Sequence, residues 1–321
     1  MRISQALRRL AMRWIDWRNV TDVAKRKPIL LRLADRMGRG RGRMRFLDHA
    51  FPPPPASKRP DLCDWEQHDL AACWIGHATM LLRVGGKTIL TDPVFSPRVG
   101  IGLLLATVGP KRLQQPALRI DDLPPLDLIL LSHAHFDHLD RPSLHRLAKR
   151  FSQTPVICAA HTRDLVDDLP FEMVSELAWH NSLDIAGVRV EAVPVTHWGP
   201  RVFYDQWRTY NAYLIAGGTS RILFGGDSAY TDSFKAVAPV DLACVGIGAY
   251  DPYIAAHATP EQAWAMAAHA QATHVAAMHH STFRLSREPT DEPLRRLLEA
   301  AGDDADRVVI RKAGDLWVGD A

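Results

Sequence analysis

The chain has 321 residues, of which 47% are apolar, a composition that suits a globular protein with a sizeable core. It contains no run of about 18 apolar residues, and its N-terminal segment lacks the apolar core of a secretory signal, so neither a membrane-spanning helix nor secretion is expected. The four cysteines are widely spaced, which argues against a disulfide framework or a thiolate zinc site and favours a reducing cytoplasm.

Positive charge is concentrated at the start of the chain. Residues 1–45 carry fourteen Lys and Arg against three acids, and the remainder carries 25 against 33, so the net charge of +3 divides into +11 and −8. We predict a basic amphipathic arm, residues 1–45, ahead of a mildly acidic domain, residues 46–321. The arm either lies peripherally on an anionic inner membrane surface or packs on its own domain. Its Arg-Gly segment, residues 38–43, either contacts phosphates or is a solvated linker.

The first predicted strands lie between residues 70 and 90. Residues 70–75 and 80–84 read as strands, and Gly85-Gly86 is a hairpin turn before a returning strand at residues 88–90. Asp92 follows that strand directly, where it either caps a turn or braces a neighbouring site. His77 lies between the first two strands and either faces a site or is an ordinary structural histidine.

The densest cluster of ligand-type residues follows an apolar run at residues 128–131. His133, His135, Asp137 and His138 come within six positions, directly after this predicted buried strand. In extended chain His133 and His135 point to the same side, and the next two residues can aim at a second point close by. Imidazole and carboxylate are ligands of divalent metals, so the loop is predicted to serve two ions rather than to be a solvated, histidine-rich turn.

The second half of the chain repeats this layout, with single polar residues after predicted strands. His197 follows residues 188–195, Asp227 follows the hairpin of residues 210–216 and 221–224, and His279 follows residues 274–278. Each residue alone has an ordinary reading as a strand-end or turn residue. Further predicted elements are helices at residues 142–151, 259–270 and 293–301 and strands at residues 156–159, 242–247 and 308–310.

The order of these strand-end residues resembles the metallo-β-lactamase-fold hydrolases, whose signature is H-x-H-x-D-H. The matching residues are Asp92, His133, His135, Asp137, His138, His197, Asp227 and His279. The resemblance implies an α+β fold, a four-layer αββα sandwich of two mostly antiparallel sheets with helices outside and metals at one edge.

Longer segments resemble the subgroup that contains the N-acyl-phosphatidylethanolamine phospholipase D enzymes. These segments are residues 74–79 (WIGHAT), 91–96 (TDPVFS), 109–112 (GPKR), 196–198 (THW) and 248–252 (GAYDP), with His257 and residues 259–263 (TPEQA) extending the likeness. Two segments depart from it. Residues 279–283 read HHSTF where the subgroup has His-Trp-Gly-Thr-Phe, and residues 210–213 replace a Leu-Trp-Gly-Gly-like segment. These two departures leave all the predicted ligands in place, but they weaken the expectation of a lipid substrate.

The resemblance implies a dinuclear site. It assigns His133, His135 and His197 to one ion, Asp137, His138 and His279 to the other, and Asp227 to both. Zinc is the expected ion because the ligand atoms are nitrogen and oxygen with no thiolate, and iron or manganese would also suit. Two cations that share a water lower its pKa from about 16 toward 7, so hydroxide is available as the nucleophile at neutral pH.

Other residues around the predicted ions receive supporting roles. Asp137 and Asp227 are predicted catalytic carboxylates, and His257 is predicted to protonate a leaving group or hold a phosphate. Asp92 and His77 are predicted to lie behind the ligands and orient them.

These residues together predict a metal-dependent hydrolase. The favoured function is a phosphodiesterase of phospholipase D type that acts on N-acyl phospholipid-like substrates. A lactonase or other small-molecule hydrolase is one alternative. A nucleic-acid-processing hydrolase is another, although nucleic acid is not expected as a partner because the main domain is acidic. A non-enzymatic, metal-bound scaffold remains open, as does a homo-oligomer. The expected location is the cytoplasm.

Overall fold

The computed structural model describes residues 48, 50, 52–103, 106–202 and 205–319. These residues form two sheets of seven strands each and a separate two-stranded ladder. In spatial order the first sheet contains β16 (Leu316–Val318), β1 (Leu70–Gly76), β2 (Thr79–Val84), β3 (Lys87–Thr91), β6 (Leu128–Leu131), β7 (Val156–Ala159) and β8 (Val174–Leu177). The second contains β15 (Val308–Ile310), β14 (His274–Met278), β13 (Leu242–Gly246), β12 (Ser220–Phe224), β11 (Ala212–Gly217), β10 (Val188–Val193) and β9 (Ser182–Ile185). The ladder pairs β4 (Ile101–Gly102) with β5 (Thr107–Val108).

Three helices cover the outer faces of the two sheets. The helix α1 (Arg141–Arg150) packs Leu144 and Leu147 with the outer face of the first sheet. Helices α2 (Pro260–His269) and α3 (Glu292–Ala301) pack against the second sheet through buried residues such as Met266 and Leu297. The predicted four-layer αββα sandwich is therefore confirmed for the described residues.

The strand β1 shows why both faces of a sheet must be covered. Its seven residues are all buried. Alternate side chains, Ala72 and Trp74, enter the core between the sheets, whereas Cys73 and Ile75 enter the core beneath α1. A strand buried on both faces reads as a continuous apolar run, which is why β1 and β6 stand out in the sequence.

The expectation of mostly antiparallel sheets is wrong. In each sheet three neighbouring pairs are antiparallel and three are parallel. Three of the parallel pairs are joined by crossovers that contain α1, α2 or α3. This matters for function because parallel neighbours end at the same edge of a sheet.

Most predicted elements agree with the structure to within two residues. A capping box begins α2, since the Gln262 N–H donates to Thr259 Oγ1 and the Thr259 N–H donates to the Gln262 side chain. Five short strands, β4, β5, β8, β9 and β16, were not predicted. Each has at most four residues, and all of these residues except Leu177 are half-buried or exposed.

One edge of the sandwich is closed by a close approach of two hairpin turns. A side chain at Gly85, between β2 and β3, would lie 2.5 Å from the carbonyl carbon of Gly217, at the end of β11. Only glycine permits backbone contact this close, and its φ of 55° is also one that glycine adopts without strain.

The predicted arm and its boundary near residue 45 lie outside the described residues. Among the helices of the described residues, none has the length and apolarity needed to cross a lipid bilayer.

Candidate metal centre

The candidate site lies where strands of both sheets reach their carboxyl ends. In the first sheet β1, β3 and β6 run in one direction, and in the second sheet β10, β12 and β14 do so. The residues that follow these six strands within four positions are His77, Asp92, His133, His135, His197, Asp227 and His279, and Asp137 and His138 come later in the loop after β6. Strand direction thus brings together residues that are as much as 202 positions apart in the chain, from His77 to His279.

The loop after β6 folds back on itself within one turn. The carbonyl oxygen of His135 accepts hydrogen bonds from the backbone N–H groups of His138 (3.1 Å) and Leu139 (2.8 Å). His133 and His135 end up side by side, with 2.8 Å between Nε2 of His133 and Nδ1 of His135. The predicted proximity of the first two histidines is therefore present.

The central atom of the site is Oδ2 of Asp227. Five imidazole nitrogens lie within 4 Å of it, those of His138 and His279 at 3.1 Å, His197 and His257 at 3.8 Å and His133 at 3.9 Å. These histidines come from both sheets and from the loop before α2. Asp227 is almost fully buried, so its carboxylate is shared among them with little competition from water.

Two groups of potential ligand atoms lie around Asp227. One group is His133, His135 and His197, and the other is His77, Asp137, His138 and His279, with the atoms of each group within 4.8 Å of one another. All predicted ligands are therefore brought together. His77, whose orientation the sequence leaves open, faces the site, since its Nε2 is 2.9 Å from Oδ2 of Asp137.

Asp92 holds the metal-binding loop from behind. Its carboxylate accepts hydrogen bonds from the Ser132 N–H (2.7 Å) and the Ser132 hydroxyl (2.6 Å), and its Oδ2 is 2.6 Å from Nδ1 of His138. Carboxylates that contact the far nitrogen of a ligand histidine fix the orientation of the ring. These contacts fit the bracing role predicted for Asp92.

Ser132 is a contributor that the sequence reasoning missed. Its hydroxyl lies 2.8 Å from Nδ1 of His133 as well as contacting Asp92. A serine between a buried strand and a histidine cluster reads as the simple end of an apolar run. The only signal in the sequence is its position one residue before the motif.

Three site residues adopt a backbone conformation that is unfavourable for side chains other than glycine. The φ angles of His77, Asp92 and His279 are 57°, 35° and 61°. Such residues cost about 1–3 kcal/mol each and persist where the surroundings fix them. Each of the three follows the end of a strand, where the turn directs its side chain into the cluster.

Gly226 allows Asp227 to approach the first sheet. Its φ is 55°, and a Cβ atom there would lie 2.8 Å from the carbonyl oxygen of Asn211 and 3.1 Å from Cβ of Ser132. Glycine is therefore required between β12 and Asp227.

The electrostatics keep one group of histidines neutral. Burial, and then the neighbouring histidines, lower the pKa of His133 well below its ordinary value. Burial likewise lowers the pKa of His135 to about 4 and that of His197 well below the ordinary range, although Asp137 and Asp227 oppose this. The neutral imidazole is the form that binds a metal.

The other group of histidines is surrounded by carboxylates. Burial alone would lower the pKa of His138, but Asp227, Asp92 and Asp137 raise it well above its ordinary value. Likewise, burial alone would raise the pKa of the Asp227 carboxyl, but His138 and His279 hold it well below its usual range. The site therefore favours a cation among its carboxylates.

The donor set fits divalent metal ions. Among the described residues, buried polar atoms without a hydrogen-bond partner include Nε2 of His138, Nε2 of His279 and Oδ1 of Asp227. Leaving such atoms unpaired is costly, and a metal ion would satisfy all three. The candidate clusters contain only imidazole and carboxylate groups.

The predicted catalytic residue His257 lies on the outer side of this cluster. Its ring stacks on that of His279, with 5.2 Å between centroids, and makes an edge contact with His197. Burial lowers the pKa of His257 to about 4, so the ring is neutral at pH 7. The structure thus puts His257 beside the proposed ligands.

Comparison with known proteins agrees with this geometry. Residues 87–280 match the family described as "Beta-lactamase superfamily domain". An uncharacterized protein of Mycobacterium tuberculosis is 34% identical over 267 residues, which are 78% of this chain and 69% of the relative. N-acyl-phosphatidylethanolamine-hydrolyzing phospholipase D 1 of Caenorhabditis elegans is 28% identical over 272 residues, which are 77% of this chain and 75% of that protein.

Solved structures show the same fold. Igni18, a metallo hydrolase from Ignicoccus hospitalis, superposes with a TM-score of 0.58 at 16% identity, covering 78% of this chain and 99% of that one. The predicted resemblance to the phospholipase D subgroup is also confirmed by the Caenorhabditis elegans relative. The chain therefore belongs to the β-lactamase superfamily-domain family and is a metal-dependent hydrolase of the metallo-β-lactamase fold.

Proposed function

We propose that this hydrolase is a dinuclear phosphodiesterase of phospholipase D type that acts on N-acyl phospholipid-like substrates. The observation that carries the proposal is the position of Asp227 Oδ2 between two groups of ligand atoms, within 4 Å of nitrogens from both. A carboxylate in that position can bridge two cations, and paired cations are a common device for displacement at phosphorus.

The proposed ligand assignment follows the two groups. His133, His135 and His197 would hold one ion, and Asp137, His138 and His279 the other, with Asp227 shared. Zinc suits this set of nitrogen and oxygen ligands, and iron or manganese are the alternatives. When bound, the ions would supply Lewis acidity and lower the pKa of a water from about 16 toward 7.

Two residues of the chain have further proposed roles in hydrolysis. The carboxylate of Asp137 would accept a proton from the attacking water. Burial alone would raise the pKa of this carboxyl, but His138 and His279 hold it well below its ordinary value, so it is ionised at neutral pH. The neutral ring of His257 would donate a hydrogen bond to a phosphate oxygen or to the leaving oxygen.

Exposed apolar side chains beside the site support an amphiphilic substrate. The Trp198 ring lies parallel to that of His197, with 5.2 Å between centroids, and Tyr253 makes an edge contact with Trp198 at 6.3 Å. Trp198, Tyr253 and Ile254 are 43%, 44% and 54% exposed. Apolar surface of this kind next to a polar centre could accommodate the acyl part of a lipid.

The relatives support the same substrate class. The name of the Caenorhabditis elegans relative assigns it the hydrolysis of N-acyl-phosphatidylethanolamine. Peripheral contact of residues 1–45 with an anionic membrane, a cytoplasmic location and a homo-oligomer remain predictions.

The test is a substrate panel offered to purified, zinc-loaded, full-length protein. N-acyl-phosphatidylethanolamine in mixed micelles, a chromogenic phosphodiester and a set of lactones would be compared before and after chelation. We expect cleavage of the diesters, loss on chelation and recovery on adding zinc. Turnover of lactones alone would replace the proposal with the small-molecule alternative, and no turnover of any diester would reject it.

A further inference from the structure

Arg201 is a buried arginine that contacts the metal-binding loop from a different part of the chain. It lies four residues after His197, in the connection between β10 and β11, and only 7% of it is exposed. Its Nη1 donates to the carbonyl oxygens of Ala134 (2.7 Å) and Leu139 (2.8 Å). The guanidinium carbon lies 3.9 Å from the centre of the Phe136 ring.

Ala134, Phe136 and Leu139 are residues of the loop that carry no proposed ligand atom. Ala134 separates His133 from His135, Phe136 separates His135 from Asp137, and Leu139 follows His138. The loop therefore presents one set of residues to the ligand cluster and the intervening set to a single guanidinium.

This arrangement joins segments from the two sheets. His197 comes from the second sheet, yet its Nε2 must lie beside the loop of the first sheet, where it is 3.3 Å from Nδ1 of His135. Arg201 belongs to the segment of His197 and hydrogen-bonds to the loop of His135. We propose that Arg201 is a positioning residue that sets the spacing of these two ligand segments and thereby determines how tightly the site binds metal.

A charged group at this position is expensive, which argues for a geometric role. Burial, and then the neighbouring Arg141, lower the pKa of Arg201 to about 9, although Asp140 partly opposes this. Burying a cation that serves only to fill space would be less favourable than packing an apolar side chain there. The planar guanidinium can hydrogen-bond to two carbonyl groups and stack on an aromatic ring at the same time, which a lysine ammonium cannot do.

The chain offers a matched control in Arg208. This arginine is also buried and lies in the same connection. It donates to Asp205, Asp164 and the carbonyl oxygen of His161, and none of its described hydrogen bonds reaches residues 133–139. Replacing it removes a buried cation from the same region without touching the loop.

The experiment compares Arg201→Met, Arg201→Lys and Arg208→Met in the full-length protein. Zinc affinity would be measured by competition with a chelating indicator, without any substrate. The absorption spectrum of the cobalt-substituted protein would report the geometry of the site, and thermal unfolding of the metal-free protein would report stability. The inference rests on metal binding at the proposed site, but its readout is independent of catalysis. Tight zinc binding without diester turnover would reject the proposed function alone.

We expect Arg201→Met to weaken zinc binding about 10- to 100-fold, the usual effect of losing a group that orients metal ligands, and to alter the cobalt spectrum. The zinc affinity of Arg201→Lys should lie between those of Arg201→Met and the parent. Arg208→Met should lower the unfolding temperature while leaving zinc affinity within about threefold of the parent, which is well below the loss expected for Arg201→Met. An Arg201→Met protein with affinity within about threefold of the parent would overturn the inference, as would an equal loss in Arg208→Met. If Arg201→Met does not fold, the same criterion applies to Arg201→Lys.

Discussion

The two sheets contribute to the metal centre in different ways. The first sheet supplies four of the proposed ligands from one loop of six residues after β6, whereas the second supplies one each after β10, β12 and β14. In the loop, relative positions are set by a single turn of backbone around the His135 carbonyl. In the second sheet they depend on the pairing of strands. Local sequence therefore specifies half of the site, and the fold specifies the other half.

This difference has an energetic consequence. Because side chains alternate along a strand, a shift of one residue in the pairing of β12 with β13 would turn residues that face one side of the sheet to the other. Asp227 would then leave the imidazoles that surround it. The second-sheet half of the site should consequently be more sensitive to changes in backbone geometry than the loop half.

The largest expected effect comes from removing the ligand shared by both halves. Asp227→Asn removes the charge that lies near five imidazole nitrogens, so both groups of ligands should lose metal. We expect turnover to fall by more than about 100-fold, since even the loss of an orienting group outside the ligands costs 10- to 100-fold. Metal content measured by elemental analysis, together with turnover of a phosphodiester, checks this.

A loop ligand makes the comparison quantitative. His135→Asn should reduce metal in the first group and leave more metal bound than Asp227→Asn does, because His135 belongs to only one of the groups. The exposed carboxylate Asp303 provides a control, and Asp303→Asn should change neither metal nor turnover. Equal metal loss in Asp227→Asn and His135→Asn would show that Asp227 is not shared.

A smaller effect, on stability, is expected from the backbone of the second sheet. Gly226→Ala forces alanine into a left-handed conformation and against Asn211 and Ser132. Strain and overpacking together should lower the free energy of unfolding by about 2–5 kcal/mol, as measured by urea denaturation.

Gly302 separates the two causes of that loss. It has the same φ of 55°, but a Cβ atom there would meet nothing within 4 Å. Gly302→Ala should therefore cost only the backbone strain, about 1–3 kcal/mol. If both variants lose the same free energy of unfolding, the close approach of the chain at Gly226 contributes nothing to the loss in Gly226→Ala.

The smallest effect is expected on the outer helices, between α2 and α3. Glu261 receives two hydrogen bonds from Arg296, and this pairing lowers the pKa of Glu261 to about 2 from its ordinary 4.5. Because the folded-state pKa is lowered, the contribution to stability is complete above about pH 4.5 and is lost as the pH falls toward 2. The pair is partly exposed, so Glu261→Gln should cost less than about 1 kcal/mol at pH 7.

Denaturation at several pH values checks this prediction. The difference in unfolding free energy between Glu261→Gln and the parent should narrow as the pH is lowered from 5 toward 3. Zinc affinity should stay at the parental value, since α2 and α3 lie on the outer face of the second sheet. A change in zinc affinity would mean that the outer helices influence the metal centre.

The sequence is most informative where burial is continuous and spacing is short. Leu128–Leu131 and His274–Met278 are predicted to the residue, because apolar runs bounded by polar residues mark buried strands. β9 was missed because three of its four residues are only half-buried and the fourth is exposed, so its composition is that of a loop. Edge strands are held by pairing with a neighbour, which leaves little trace in their own residues.

The residues of the site also divide into those with a local sequence signal and those without one. The roles expected of His133 to His138 have a local basis in their spacing, whereas those of His197, Asp227 and His279 came from family resemblance. His77 could not be decided because its direction depends on a φ of 57° after β1, which no residue type announces. Contacts such as that of Arg201 with the loop join residues 62 and 67 positions apart, beyond the reach of any local pattern.

The two ends of the sandwich are closed in different ways, one by the hairpin contact between Gly85 and Gly217 and the other by the metal centre. Both turns precede strands that run toward the metal centre, so the contact between Gly85 and Gly217 lies at the end of the sandwich farthest from that centre. At the near end the sheets meet through imidazole and carboxylate groups, and among the described residues several buried atoms of these groups have no hydrogen-bond partner unless cations lie between them. Ions there would act as a removable cross-link between the two sheets. We therefore expect metal removal to increase backbone motion at this end, while the contact between Gly85 and Gly217 is kept.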